Sequence, residues 1–412
     1  MRLFASGRAA LPFLALAMAA PLAAEPGLPD EAAVAGALID HPAVAAARER
    51  LAASRAGADA RAVGPHEVTV SGSYNRRTID REGTFDEFDT QLTRAIRLPG
   101  KARLDREIGV YAVDAAENMA EDVRHQAALL LASYWWDWLG AAAEAEVDRQ
   151  AVTNYEQALA AVTRRVELGD APQLEADQAR AALGAARIRA EQSTGRADLA
   201  QARLRAQFPS LPLPVDAPAI PPPAMREAEL AGYRDQIIAN SHEIAVAEAE
   251  ARRAAAYADR LRLDRVADPS VGIRLFSERG GAEQGAGLVF SMPLGGRHRS
   301  ALADEAGSSA SAALAEERLA RFAVEETASA DLAEARFRLS AWERARESLA
   351  AQMEVLVKLR RGNELGEIGL ADMLLGERLV HDAFNAEVVA RTDAQRAITK
   401  LRIDAHELWL RD

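Results

Sequence analysis

The chain has 412 residues, of which 49% are hydrophobic, 27% charged and 5% aromatic, with a net charge of −12 at pH 7 and no cysteine. The apolar share excludes a disordered chain, and the absence of cysteine excludes a disulfide framework, a thiolate metal site, a Cys nucleophile and a lipidated N-terminal Cys. The acidic balance argues against a nucleic-acid partner. Alanine is abundant beside Arg, Glu and Leu, a composition that leans towards long helices or coiled coils.

Residues 1–24 read as a secretory signal peptide. Arg2 and Arg8 precede an apolar run from Leu11 to Ala20, and small residues follow to Ala24. The run is too short to span a membrane comfortably, and no later stretch reads as a transmembrane helix. Removing it takes two arginines and no acid, so the net charge moves from −12 to −14.

Residues 25–208 form a first structural repeat, beginning with a helical stretch at His41. Strand candidates follow at about 67–75 and 87–98. In the first, Val68, Val70, Gly72 and Tyr74 alternate with polar residues; the second alternates less cleanly through Phe88, Leu92, Ile96 and Leu98. Long helices are predicted at about 101–168 and 172–207, where prolines are almost absent. An interior proline costs a helix ~3 kcal/mol. Tyr155, Leu159, Val162 and Val166 keep the 3/4 spacing of an apolar seam. The first long helix is ~100 Å at 1.5 Å per residue.

Residues 209–223 are a linker holding seven of the 17 prolines. Residues 224–412 form a second repeat, with a helical stretch from His242, strands at about 270–277 and 285–292, and helices at about 298–361 and 369–410. Here Val271, Ile273 and Leu275, then Ala286, Leu288 and Phe290, alternate across Gly280-Gly281. The halves correspond residue by residue: Arg164, Glu167, Leu168 and Gly169 return as Arg361, Glu364, Leu365 and Gly366, and Gly100-Lys101 as Gly296-Arg297. Each turn glycine is followed by an acid, Asp170 or Glu367, and then by a second acid, Glu175 or Asp372.

Each strand is near the ~9–11 residues that cross a bilayer as tilted β structure. Four strands cannot close a barrel, since membrane barrels have about eight or more, and an open edge cannot face lipid. Strands that cross a membrane here must therefore share a barrel: two copies give eight strands, three give twelve. The order of elements, the duplication, the Gly169 and Gly366 turns and the strand pairs between long helices resemble the TolC-type outer membrane factors of Gram-negative efflux and type I secretion systems. The resemblance covers about 30–410. Leu98-Pro99-Gly100-Lys101 and Pro293-Leu294-Gly295-Gly296-Arg297 look most like the cobalt–zinc–cadmium, CzcC-like branch.

That resemblance implies a homotrimer with one shared 12-stranded barrel in outer membrane lipid and a periplasmic helical tunnel. It implies a passive conduit for heavy-metal cations rather than an enzyme, without cofactor. Its expected partners are a periplasmic adaptor (membrane fusion protein) and an inner membrane pump of RND type. The matching gate acid is Asp372, with Leu375 where a second acid often stands; Glu175 is its counterpart in the first repeat. Gly169, Asp170, Gly366, Glu367, Arg164 and Arg361 fall at the tip where an adaptor docks. Tyr74, Phe88 and Phe290 are candidates for an aromatic girdle. The alternatives are a soluble periplasmic adaptor or scaffold without a barrel, and a channel for drug efflux or protein secretion. The seven histidines form no HxH, HxxxH or HExxH pattern, so no metal site is assigned. Trp135, Trp136 and Trp138 are expected to pack on the Pro-rich linker and Trp409 as an equatorial belt.

Overall fold

The computed structural model describes residues 25–410; the expected signal segment lies outside the described residues. The chain is mostly helical with one small antiparallel sheet. Its elements are α1 (Glu31–Asp40), α2 (Pro42–Val63), β1 (Val68–Ile79), β2 (Gly83–Ala95), α3 (Lys101–Glu167), α4 (Gln173–Gln207), α5 (Glu227–Leu230), α6 (Tyr233–Asn240), α7 (His242–Leu263), β3 (Ser270–Glu278), a 3₁₀ turn (Arg279–Gly281), β4 (Glu283–Ser291), α8 (Arg297–Glu364) and α9 (Leu370–Asp404).

The 67 residues of α3 and the 68 of α8 each run ~100 Å, the full length of the helical body. On the sheet side of the equator α3 packs with α2 and α7, and α8 with α7; on the far side α3 pairs with α4 and α8 with α9, and α9 also lies against α3. Much of the packing uses alanine: Ala128, Ala179, Ala249, Ala328, Ala335 and Ala394 are fully buried, and such small residues let helix axes approach closely.

The core sits at the equator. Trp135, Trp136 and Trp138 of α3 share one buried cluster with Val34 and Leu38 of α1, Leu204 of α4, Leu211 and Ile220 of the linker, and Trp409. Trp135 packs edge-on to Trp138 at 5.4 Å between ring centroids. Their polar ends are satisfied: Trp135 Nε1 donates to the Gly27 carbonyl at 2.8 Å and Trp136 Nε1 to Thr399 Oγ1 at 3.0 Å. A second cluster seats Leu230, Tyr233 and Ile237 on Ala328, Leu332 and Ala335 of α8.

The sheet has order β1-β2-β3-β4, so the two repeats meet at the β2–β3 ladder. Several boundaries differ from the sequence expectation. β1 continues to Ile79 and β2 starts at Gly83, because Arg76↔Asp86 and Thr78↔Thr84 extend the ladder with polar pairs that carry no hydrophobic period. β2 ends at Ala95; beyond it Ile96 N–H still reaches across to the Pro269 carbonyl at 2.8 Å, and Leu98 N–H to the Asp268 carboxylate at 3.1 Å, before Pro99. The last helix stops at Asp404 and not near 410. His406 and Trp409 adopt φ of 61° and 62°, which turns Leu408, Trp409 and Leu410 back into the equatorial core.

Candidate functional site

At the end of the helical body far from the sheet, each hairpin turns on the same motif. Gly169 N–H donates to the Val166 carbonyl and Asp170 N–H to the Arg165 carbonyl; Gly366 to Asn363 and Glu367 to Gly362 repeat it. These are the paired bonds of a Schellman C-cap, whose C′ residue is left-handed. Gly169 and Gly366 stand there at φ 76° and 77°. The two tips touch: Leu370 at the start of α9 is buried with Val162 of α3 and with Ala176 and Ala179 of α4.

Glu175 and Asp372 each lie in the first turn of the helix that follows, α4 and α9, where a carboxylate meets the positive end of the helix dipole. Asp372 is exposed on a face shared with exposed Leu375 and Leu379. Glu175 is half-buried; its Oε2 makes no hydrogen bond, and the Arg165 guanidinium is 3.6 Å away. Asp170 and Glu367 are exposed at the turns.

Arg164 and Arg361 do not bridge the hairpins. Each pairs at 3.0 Å within its own helix, with Glu167 and Glu364. The cross-hairpin contacts belong to their neighbours, Arg165 with Glu175 and Arg360 with Glu377 at 2.7 Å. The repeat correspondence singled out the arginines that match in sequence, whereas helical phase decides which arginine faces the partner helix. Above the tip, α3, α8 and α9 enclose a cavity of about 430 Å³. His381 and Asp148 form a buried pair at 2.8 Å on its side. Burial pushes the His381 imidazole below its ordinary value, against the upward pull of Asp148.

The sheet at the opposite end has one mainly apolar face, broken by Arg76, Asp86 and Arg94, and one mainly polar face. Cross-strand partners share a face, which places Val68, Val70 and Tyr74 with Phe88 and Leu92, then with Val271, Ile273 and Leu275, then with Ala286, Leu288 and Phe290. These large side chains are exposed, Leu288 at 91% and Phe290 at 69%. Tyr74 and Phe88 are opposite each other with ring centroids 5.2 Å apart. Phe290 lies at the helix-proximal end, so the aromatics mark two levels ~20 Å apart at ~3.3 Å per strand residue. The other face carries Asn75, Arg77, Glu87, Asp89, Arg274 and Glu278. Arg77 pairs with Glu87 at 2.6 Å, and Arg274 with Asp89.

Between sheet and helices lies a joint that the sequence reading did not single out. Lys101, 1% exposed, donates to Asp264 and Asp268 at 2.8 Å each and to the Val266 carbonyl at 2.7 Å. His66 and the Leu98 amide also bond Asp268, while Asp105 joins Arg97 to Arg260. Burial works to raise the Asp268 carboxyl, but the hydrogen bonds from Lys101, His66 and Leu98 outweigh it and hold the group at about 2. Three of the seven histidines make such contacts: His66 with Asp268, His125 with Asp404, His381 with Asp148. Among the described residues no group of three His, Asp or Glu is arranged to hold a metal ion, and no helix is long and apolar enough to cross a membrane.

A duplicated chain of two helical hairpins, with one bare four-stranded sheet at the far end, defines a protomer of the TolC-type channel fold. Residues 34–207 match the family model described as outer membrane efflux protein. The open state of the Neisseria gonorrhoeae MtrE outer membrane channel is similar with a TM-score of 0.74, over 92% of this chain and 89% of that one, at 15% identity. The Campylobacter jejuni CmeC outer membrane channel gives 0.70 over 92% and 86%, at 15% identity. CusC gives 0.68 over 91% of each chain, at 16% identity. No curated protein sequence matches the chain. The family model covers the first repeat, and the likeness of fold to these channels extends over both.

Proposed function

We propose that this chain is the outer membrane channel of a tripartite efflux system, a passive conduit built from three copies. The observation that carries it is the sheet. Among the described residues nothing covers either face of the four strands, both edges are open, and the apolar faces of all four align. Open edges and a broad exposed apolar face call for a cover. Closed into a ring, it turns the apolar band to lipid and the charged face to a water-filled lumen. Three copies give twelve strands, and the ~100 Å helices continue the lumen as a periplasmic tunnel.

The tip is then the periplasmic mouth, presented to an adaptor and, through it, to an inner membrane pump of RND type. Three copies of Asp372 and Glu175 would gather six carboxylates there, a field that favours cations. Heavy-metal cations are the cargo this reading assigns, supported by those acids and by the CzcC-like segments around Gly100 and Gly296. The channel does no bond chemistry.

The reading is tested in two steps. Detergent extracts of outer membranes should yield a particle of three chains longer than ~100 Å; a water-soluble monomer would overturn it. In planar bilayers Asp372→Ala with Glu175→Ala should lower cation selectivity and raise closed-state conductance. Unchanged values for both would remove the acids from the gate.

A further inference from the structure

The ladders inside one chain, together with the trimer reading above, determine how neighbouring copies join. Gly72 is opposite Thr90, Thr90 opposite Leu275, and Leu275 opposite Ala286. What remains open is the outer edge of β4 and the outer edge of β1, and strand direction alternates so that β4 meets the next copy's β1 antiparallel.

Three conditions select the register. β4 has 9 residues and β1 has 12, so every residue of Glu283–Ser291 finds a partner only if Ser291 lies opposite a residue between Val68 and Ser71. The apolar faces must also coincide, with Phe290, Leu288 and Ala286 on the side of Val68, Val70 and Tyr74. A one-residue slip exchanges the faces, which leaves Thr69 or Ser71.

Closure decides between these two. With Ser291 opposite Thr69, the path that left Gly72 returns on the next copy at Tyr74, two residues on; with Ser71 it returns at Arg76, four residues on. Around three copies the stagger is six or twelve. A barrel whose shear equals its strand number tilts its strands by ~36°; half that ratio gives a tilt of about 20°, outside the usual ~35–45°.

We propose that copies of this chain join with Ser291 of β4 opposite Ser71 of the next copy's β1, which seats Phe290 over Gly72. A second observation agrees. Within the chain Phe276 lies opposite Gly285, its ring so close that a Cβ there would sit 2.4 Å away. Phe290 over Gly72 repeats this cover of a strand glycine by a cross-strand aromatic. It also gives the 69%-exposed Phe290 and the 91%-exposed Leu288 cross-strand partners, Gly72 and Tyr74.

The absence of cysteine makes the register directly readable. Opposed antiparallel residues bring their Cβ atoms to ~4.5–5.5 Å, within reach of a disulfide after small adjustment. In detergent, Ser73→Cys with Val289→Cys should oxidise under copper phenanthroline to a covalent trimer on a non-reducing gel, reversed by dithiothreitol. Ser71→Cys with Val289→Cys should link at least tenfold less. Ser71→Cys with Ser291→Cys tests the same register at the base of the sheet, should the first variant fail to assemble. Preferential linking of Ser71→Cys with Val289→Cys overturns the register, as does a particle of three-chain mass in which neither Ser73 with Val289 nor Ser71 with Ser291 links. A particle of one-chain mass overturns the trimer reading itself, and the two failures are told apart by light scattering before oxidation.

Discussion

Lys101→Met isolates the joint between sheet and helices. The ammonium is 1% exposed and holds two carboxylates at 2.8 Å, so its loss leaves Asp264 with Arg260, and Asp268 with His66 and the Leu98 amide. Removing one member of a buried ion pair costs roughly 3–5 kcal/mol, and the surviving partners favour the lower end, about 3 kcal/mol. The sign with pH follows from Asp268, whose carboxyl lies at about 2 against an ordinary 3.8. A depressed acid stabilises the fold above its ordinary value and loses that contribution as pH falls through the folded value. The shift is worth at most about 2.5 kcal/mol. In Lys101→Met the carboxyl rises, so the acid limb of the stability curve between about pH 4 and pH 2 should flatten. Denaturant unfolding in detergent micelles, followed by far-UV circular dichroism, measures both effects. A double-mutant cycle with Asp268→Asn should show coupling above about 1 kcal/mol. A loss below about 1 kcal/mol with an unchanged acid limb would refute the reasoning.

Gly366→Ala places a Cβ on a left-handed residue at φ 77° and should destabilise the tip by about 1–2 kcal/mol. Limited proteolysis near residue 366 should then speed up while cleavage at the equator does not. His381, lowered by burial, is held in its neutral form at pH 7, so the fold loses stability as pH falls from the ordinary imidazole value towards the folded one. His381→Gln should flatten that segment of the stability curve just below the ordinary imidazole value, and an unchanged slope would exclude His381 as its source.

How much of this the sequence revealed depends on what kind of signal each feature leaves. The turn glycines were legible because a left-handed cap needs a particular residue and the duplication prints it twice, at Gly169 and Gly366. The alternation of β3 and β4 was legible because Val271, Ile273, Leu275, Ala286, Leu288 and Phe290 all lie on one face. The outer halves of β1 and β2 were not: Arg76, Thr78, Thr84 and Asp86 keep the ladder without a hydrophobic period. The end of α9 was hidden for another reason, since His406 takes the left-handed position usually marked by glycine. The Lys101 joint left no local trace, because Lys101 and Asp268 are 167 residues apart. Nor did the tip arginines that cross the hairpins: Arg165 and Arg360 were each read past in favour of a neighbour that matches in both repeats.

The duplication is least faithful where it matters for assembly. Lys101 and Arg297 are both the first residue of a long helix, and Gly64 and Asp264 both cap the helix before a strand. Two residues before each hairpin begins stand His66 in one repeat and Asp268 in the other. Inside one chain the α3 cation therefore meets Asp264 and Asp268, whereas in the proposed ring the α8 cation of one copy faces Gly64, Pro65 and His66 of the next. Glu67 is the sole acid in that stretch, and both it and Arg297 are exposed. An exposed pair contributes at most about 1 kcal/mol, against roughly 3–5 for the buried set. The β2–β3 joint thus carries a buried ion set within the chain, while in the proposed ring the β4–β1 seam rests on strand pairing.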